Sequence, residues 1–114
     1  MTGKSRVTAK ISFHALGIDE LIDVLVAGDD VTNPKPHPEG VLRVLTELGH
    51  NPNEAGAMVG DSAADVYAGR GAGLTTIGVT WGVPEHDDLR QAAPDLVCES
   101  TDELAAALHL NSAI

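Results

Sequence analysis

Met58-Val59-Gly60-Asp61-Ser62-Ala63-Ala64-Asp65 is the stretch on which the reading of this chain turns. A short apolar run from Ala57 to Val59 stops at Gly60-Asp61, and a helical pattern starts at once, with Asp65 in its first turn. An apolar strand that carries a carboxylate to its own C-terminal end, followed directly by a helix, is how open α/β sheets build ligand sites. Asp61 and Asp65 are four residues apart, a spacing that puts two carboxylates on one helical face. Such a pair can hold a hard cation, or it can hold and orient a lysine.

Outward from this stretch, short apolar runs alternate with helical patterns. Val24-Leu25-Val26-Ala27, bounded by Gly28-Asp29-Asp30, reads as a buried parallel strand, with the two aspartates in a turn. Before it, Val7, Ile11, Leu16 and Ile18 form the apolar stripe of a helix that Gly17 terminates, and a helical turn follows near residues 19–23. No strand precedes that helix, although α/β chains alternate the two elements. Asn33-Pro34-Lys35-Pro36-His37-Pro38 can be neither helix nor central strand, because its prolines fix φ and bias their neighbours to extended geometry. This loop presents Lys35 stiffly. Pro38 suits the first turn of the next helix, with Val41, Leu42, Leu45 and Leu48 on one face and Gly49 at its end.

A turn is expected at 51–54. After it comes the central strand and helix, whose Ala64, Ala68, Gly69, Gly71 and Ala72 permit close packing. Thr75–Val79 is the next strand, 81–84 a loop, 87–93 a short helix and 95–98 a last strand. Ser100 and Glu103 have capping-box spacing before a helix with Leu104, Ala107 and Leu108 on its apolar side, and 111–114 form a fraying tail. The expected fold is α/β, a parallel Rossmann-like sheet with flanking helices.

Composition narrows the possibilities. With 114 residues, 43% hydrophobic and 3% aromatic, the chain suits one globular unit with an aliphatic core. A formal net charge of −10 argues against nucleic acid and anionic membranes as partners, since both need clustered Lys and Arg. The single Cys98 excludes an internal disulfide and suits a reducing cytoplasm. No apolar run is long enough to span a bilayer. The five histidines are scattered without metal spacing.

Pro34-Lys35-Pro36 followed by Gly60-Asp61-Ser62-Ala63-Ala64-Asp65 resembles the haloacid dehalogenase (HAD) superfamily, most of all its phosphoglycolate phosphatase and pyrophosphatase-like branch. The similarity runs from about Thr2 to Leu108. It implies an Mg²⁺-dependent phosphomonoester hydrolase acting on a small phosphorylated metabolite. By resemblance, Asp61 is an Mg²⁺ ligand, and Asp65 supports the metal site or holds the lysine. Lys35 neutralises charge on the phosphoryl group, and Thr2, with Gly3 beside it, binds a phosphoryl oxygen. The chemistry suits these residues: Mg²⁺ takes oxygen ligands, and lysine serves phosphate as a point charge. Plainer roles remain open. Asp61 could be a helix cap, Asp65 a dipole partner and Trp81 a packing residue rather than the border of a pocket. Phospho-accepting receiver domains use similar groups, but in the opposite order along the chain.

The family's strand ending in Asp-x-Asp, which supplies the nucleophile and the general acid/base, has no counterpart in this sequence, nor does its cap domain. Residues 1–114 therefore read as the C-terminal part of a HAD-like core, incomplete in its sheet and expected to be inactive alone. Met1 stands where a strand residue is expected, as if an internal codon were read as a start. The alternative is a degenerate, non-enzymatic binding or regulatory module, or one half of a split enzyme. Exposed strand edges would then invite self-association or the missing N-terminal half.

Overall fold

Four of the five residues in Thr75–Val79 are β-branched, which favours extended backbone on a packed surface. In the computed structural model, which describes residues 1–50, 54–81 and 85–112, this run is the central strand of the sheet. The strands are β1 (Ala57–Gly60), β2 (Thr75–Val79) and β3 (Leu96–Cys98), all parallel and in spatial order β1-β2-β3. Gly60 pairs with Gly78, and Gly78 with Val97, so the strands end together at their C-terminal edge.

Alternation along β2 sorts the two faces. Ile77 and Val79 join Cys98 in a buried cluster covered by Leu104 and Ala107 of α5 (Thr101–Ser112). Gly78 faces the other way, against Leu89 of α4 (Asp87–Gln91). There Leu89 and Ala92 pack on Val66 of α3 (Ala63–Gly71). The small residues of α3 act as expected: a Cβ on Gly69 would stand 2.5 Å from that of Met58. The Asp95 carboxylate accepts from the amide and hydroxyl of buried Thr76, at 2.7 and 3.1 Å, and so joins the starts of β2 and β3.

The expected strand at Val24–Ala27 is not one. Val26 and Ala27 are fully buried, but the backbone pairing of this segment is with residues 2–4 and not with the sheet. Its other hydrogen bonds come from the Arg6 side chain to the Leu25 carbonyl and run from the Ala27 amide to the Asp30 carboxylate. The Thr2 amide donates to the Val26 carbonyl at 3.0 Å, and the Gly28 amide to that of Lys4 at 2.7 Å. A ladder needs a neighbour of comparable length, and here it is three residues long. Asp29 and Asp30 do form a turn, a 3-10 helix over Gly28–Asp30.

The N-terminal helix α1 (Arg6–Leu16) forms with Ser5 as its N-cap and Gly17 at φ 68° as its terminator. Its expected apolar stripe does not face inward. Ala9 is the buried residue, while Val7, Ile11 and Leu16 are 68%, 65% and 71% exposed. The next helix, α2 (Glu39–Glu47), buries Val41 but leaves Leu42 and Leu48 largely exposed. Residue 108 is also more exposed than its place in the expected stripe required. The turn expected at 51–54 lies mostly outside the described residues, as do positions 82–84 of the loop and the last two of the tail.

Candidate active site

The helix α3 starts one residue later than the carboxylate spacing implied. Its N-cap is Ser62, not Asp61, and the Ser62 hydroxyl accepts from the Asp65 amide at 3.3 Å. Asp65 returns the contact as the third helical residue: its Oδ2 accepts from the Ser62 amide at 3.3 Å and hydroxyl at 3.0 Å, and from the Asp61 amide at 3.1 Å. This reciprocal capping box satisfies donors that a helix start otherwise leaves open. Asp61 and Asp65 are therefore not on one helical face, because Asp61 lies in the turn between β1 and α3 while Asp65 folds back over Gly60. Gly60 makes that possible, since a Cβ there would stand 2.3 Å from the Asp65 Cβ.

The remaining oxygen of Asp65 takes the lysine. Lys35 Nζ donates to Asp65 Oδ1 at 2.5 Å, with both side chains largely covered. Thirty positions apart in sequence, they form the ion pair that the lysine-holding reading allowed. Asp65 is thus committed to one cation and three donors of the strand–helix turn. The Asp61 carboxylate is different: among the described residues no hydrogen bond or ion pair engages it. It lines, with Ser62 and Ala64, one side of a shallow depression whose other side is Glu85, Asp88 and Leu89.

The N-terminal segment comes to the same place. Burial, and then repulsion from Lys35, lower the proton affinity of the Met1 ammonium, and Asp65 partly offsets this. The Met1 side chain lies over Gly40 of α2. Thr2 hangs from Val26, and its hydroxyl oxygen accepts from the Lys4 amide at 3.2 Å, which leaves the hydroxyl proton to donate elsewhere. Gly3 carries its carbonyl against Gly28, where a Cβ would stand 2.4 Å away. Trp81, just beyond β2, is about half exposed, so packing does not consume its ring.

Some supporting residues escaped the sequence reading. Ser62 could have been found, because Ser62-x-x-Asp65 is a capping-box spacing. Asp30 could not, since its partners are distant: Arg6 forks onto its carboxylate, with one contact of 2.5 Å, and Arg43 donates to its carbonyl at 2.6 Å. The Arg6 hydrogen bond, then that from the Ala27 amide, hold the Asp30 carboxyl below its ordinary pKa. Neighbouring Asp29 accepts from the Arg6 amide at 2.8 Å.

An Mg²⁺ ion fits this donor set in kind. Asp61 offers an unengaged carboxylate, and Mg²⁺ commonly binds through one or two carboxylates together with water and phosphate oxygens. Among the described residues no group of three His, Cys, Asp or Glu is placed to enclose a metal alone.

A parallel sheet with a carboxylate just beyond its C-terminal edge, beside a lysine-bearing loop, defines an α/β core with a polar site at the strand ends, and comparison with known proteins gives its family. The Haloacid dehalogenase-like hydrolase family matches residues 1–79, and the chain belongs to that family. It is 38% identical over 106 residues to the pyrophosphatase PpaX of Bacillus pumilus, covering 93% of this chain and 49% of that protein. It is 38% identical over 97 residues to the phosphoglycolate phosphatase of Salmonella paratyphi A, covering 85% of this chain and 38% of that protein. A HAD-superfamily hydrolase of subfamily IA from Geobacter sulfurreducens superposes with a TM-score of 0.73 at 27% identity, over 93% of this chain and 45% of that one. A hydrolase from Pseudomonas syringae gives 0.78 at 28% identity, over 94% and 49%. The chain spans half or less of the length of each of these proteins.

Proposed function

We propose that these 114 residues are the C-terminal part of a Mg²⁺-dependent HAD-type phosphomonoester hydrolase acting on a small phosphorylated metabolite in the cytoplasm. The observation that carries this is the Lys35–Asp65 pair at 2.5 Å, set beside the unengaged Asp61 carboxylate at the end of β1. The pyrophosphatase and phosphoglycolate phosphatase relatives support the reaction class.

Each residue then has a task. Asp65 fixes the lysine and the strand–helix turn at once, so the ammonium does not have to be ordered when substrate arrives. Lys35 places positive charge where phosphoryl oxygens gather. Thr2 donates its free hydroxyl proton to one of those oxygens, and Gly3 lets the backbone approach closely. Asp61 is the carboxylate that would hold Mg²⁺, and the bound ion would withdraw charge from the phosphoryl group. Asp65 supports that site from behind. The attacking carboxylate comes from an Asp-x-Asp strand outside these residues, so the chain alone binds but does not turn over substrate.

Calorimetric titration tests the reading. Mg²⁺ should bind the intact chain in the presence of inorganic phosphate, and binding should be lost in Asp61→Ala. Hydrolysis of p-nitrophenyl phosphate by the pure chain, abolished in Asp61→Ala, would overturn the predicted inactivity.

The second reading, a degenerate binding module or one half of a split enzyme, is favoured by one observation. β1 is hydrogen-bonded to β2 alone among the described strands, and Val59 on it is 38% exposed. An open edge of this kind accepts another strand, from a second copy or from an N-terminal half. Concentration-dependent sedimentation distinguishes self-association from a monomer that waits for a different partner.

A further inference from the structure

Lys35 sits at the middle of a loop whose two ends are joined by one side chain. The Glu39 carboxylate, in the first turn of α2, accepts from the Thr32 amide at 2.7 Å with Oε2. Its Oε1 accepts from the Asn33 amide at 3.3 Å and side-chain amide at 3.2 Å. The Glu39 amide in turn donates to His37 Nδ1 at 3.1 Å, and the His37 amide to the Pro34 carbonyl at 3.0 Å. Pro34, Pro36 and Pro38 remove most of the freedom that remains. A carboxylate in a first helical turn favours the dipole without any partner. Here both oxygens are spent on the loop instead.

We propose that Glu39 is the positioning residue for Lys35: it closes the proline loop so that the lysine reaches Asp65. This rests on the reading of the Lys35–Asp65 pair as part of the phosphoryl site, and it adds the residue that aims it. Loop closure by three local hydrogen bonds narrows the range over which the Lys35 backbone can wander. The ammonium then meets Asp65 without a search. The hydrogen bonds from the two amides also keep the Glu39 carboxyl below its ordinary pKa, with the Thr32 contact the larger cause.

The chain has three lysines, Lys4, Lys10 and Lys35, of which the first two are exposed and serve as internal controls. Amine acetylation at a slightly alkaline pH, resolved site by site by mass spectrometry, reads how well Lys35 is held. In the intact chain Lys35, hydrogen-bonded to Asp65 and largely covered, should react about tenfold more slowly than the controls, the loss expected when one charged hydrogen bond must open before the amine reacts. Glu39→Ala should raise its rate roughly fivefold, the worth of about one hydrogen bond, with Lys4 and Lys10 unchanged. Glu39→Gln keeps a carbonyl acceptor and should restore most of the protection. Glu39→Asp keeps the charge but is one methylene short, and should lose it.

Because Glu39 acts through the lysine's contact with Asp65, adding Glu39→Ala to Asp65→Asn should bring no further rise. Normal Lys35 protection in folded Glu39→Ala and Glu39→Asp, or effects that multiply in the double variant, would overturn the proposal. If Glu39→Ala fails to fold, which reaction of the buried Cys98 would report, Glu39→Asp and Glu39→Gln decide. Phosphate with Mg²⁺ provides a separate arm: protection of Lys35 by phosphate supports the phosphatase reading. Loss of that arm alone, with the Glu39 effects intact, rejects the phosphatase reading and leaves the positioning role standing.

Discussion

α3 and α1 are both flanked by capping serines, yet they treat apolar surface in opposite ways. α3 buries Val66, Ala68 and Gly69, and even Asp65, against β1 and β2. α1 buries Ala9 and turns Val7 and Ile11 outward. The difference lies in what each helix meets. The wall facing α3 is a hydrogen-bonded sheet, with Met58 and Thr76 set against Gly69. α1 instead meets mainly two short 3-10 turns, Asp19–Leu21 and Gly28–Asp30, the second of which holds Arg6. An apolar stripe shows which face a helix could bury, and the neighbouring element decides whether it does.

Four measurements would break or sharpen this contrast. Ile77→Ala empties a position that is 1% exposed at the centre of the sheet, and should cost about 3 to 4 kcal/mol in a denaturant titration. A cost below about 1 kcal/mol would mean that the sheet is not the organising core. Gly60→Ala drives a methyl into Asp65, and should cost about 2 to 3 kcal/mol while freeing Lys35 to acetylation. An unchanged denaturation midpoint would mean that the turn can open without loss.

The acid limb of stability should follow the carboxylates that tie elements together. Asp95 is held below its ordinary 3.8, chiefly by the Thr76 amide. Its contribution is therefore complete above the unfolded value and is lost as pH falls through the lower folded one. Asp95→Asn should make unfolding less steep below about pH 4, as followed by circular dichroism. The smallest effect is expected for Ile11→Ser on the outward face of α1, within about 0.5 kcal/mol. A loss of more than about 1 kcal/mol would show that this face is covered in solution, by a second copy if the loss depends on concentration.

Much of the C-terminal two-thirds was legible because its signals are local. Thr75–Val79 announces a strand through β-branching, and the glycines at 49 and 73 stop helices at positive φ. Ser62-x-x-Asp65 is likewise a local signal, though the site reading took both carboxylates for a helical face. Val24–Ala27 was misread because composition records that a segment is buried and not what it pairs with. Glu39 was missed because an acidic residue in a first helical turn already has an ordinary explanation.

The sequence by itself determined the class of fold, the strand–turn–helix at Gly60–Asp65 and the stiff loop that carries Lys35. Each follows from backbone preferences acting over a few residues. Tertiary structure alone decided that Asp65 is spent on Lys35 while Asp61 stays unengaged, that Asp30 gathers Arg6 and Arg43, and that the α1 stripe faces outward. These outcomes depend on which groups meet across tens of residues. Partner, distance and burial then choose among roles that the same residue type could fill equally well.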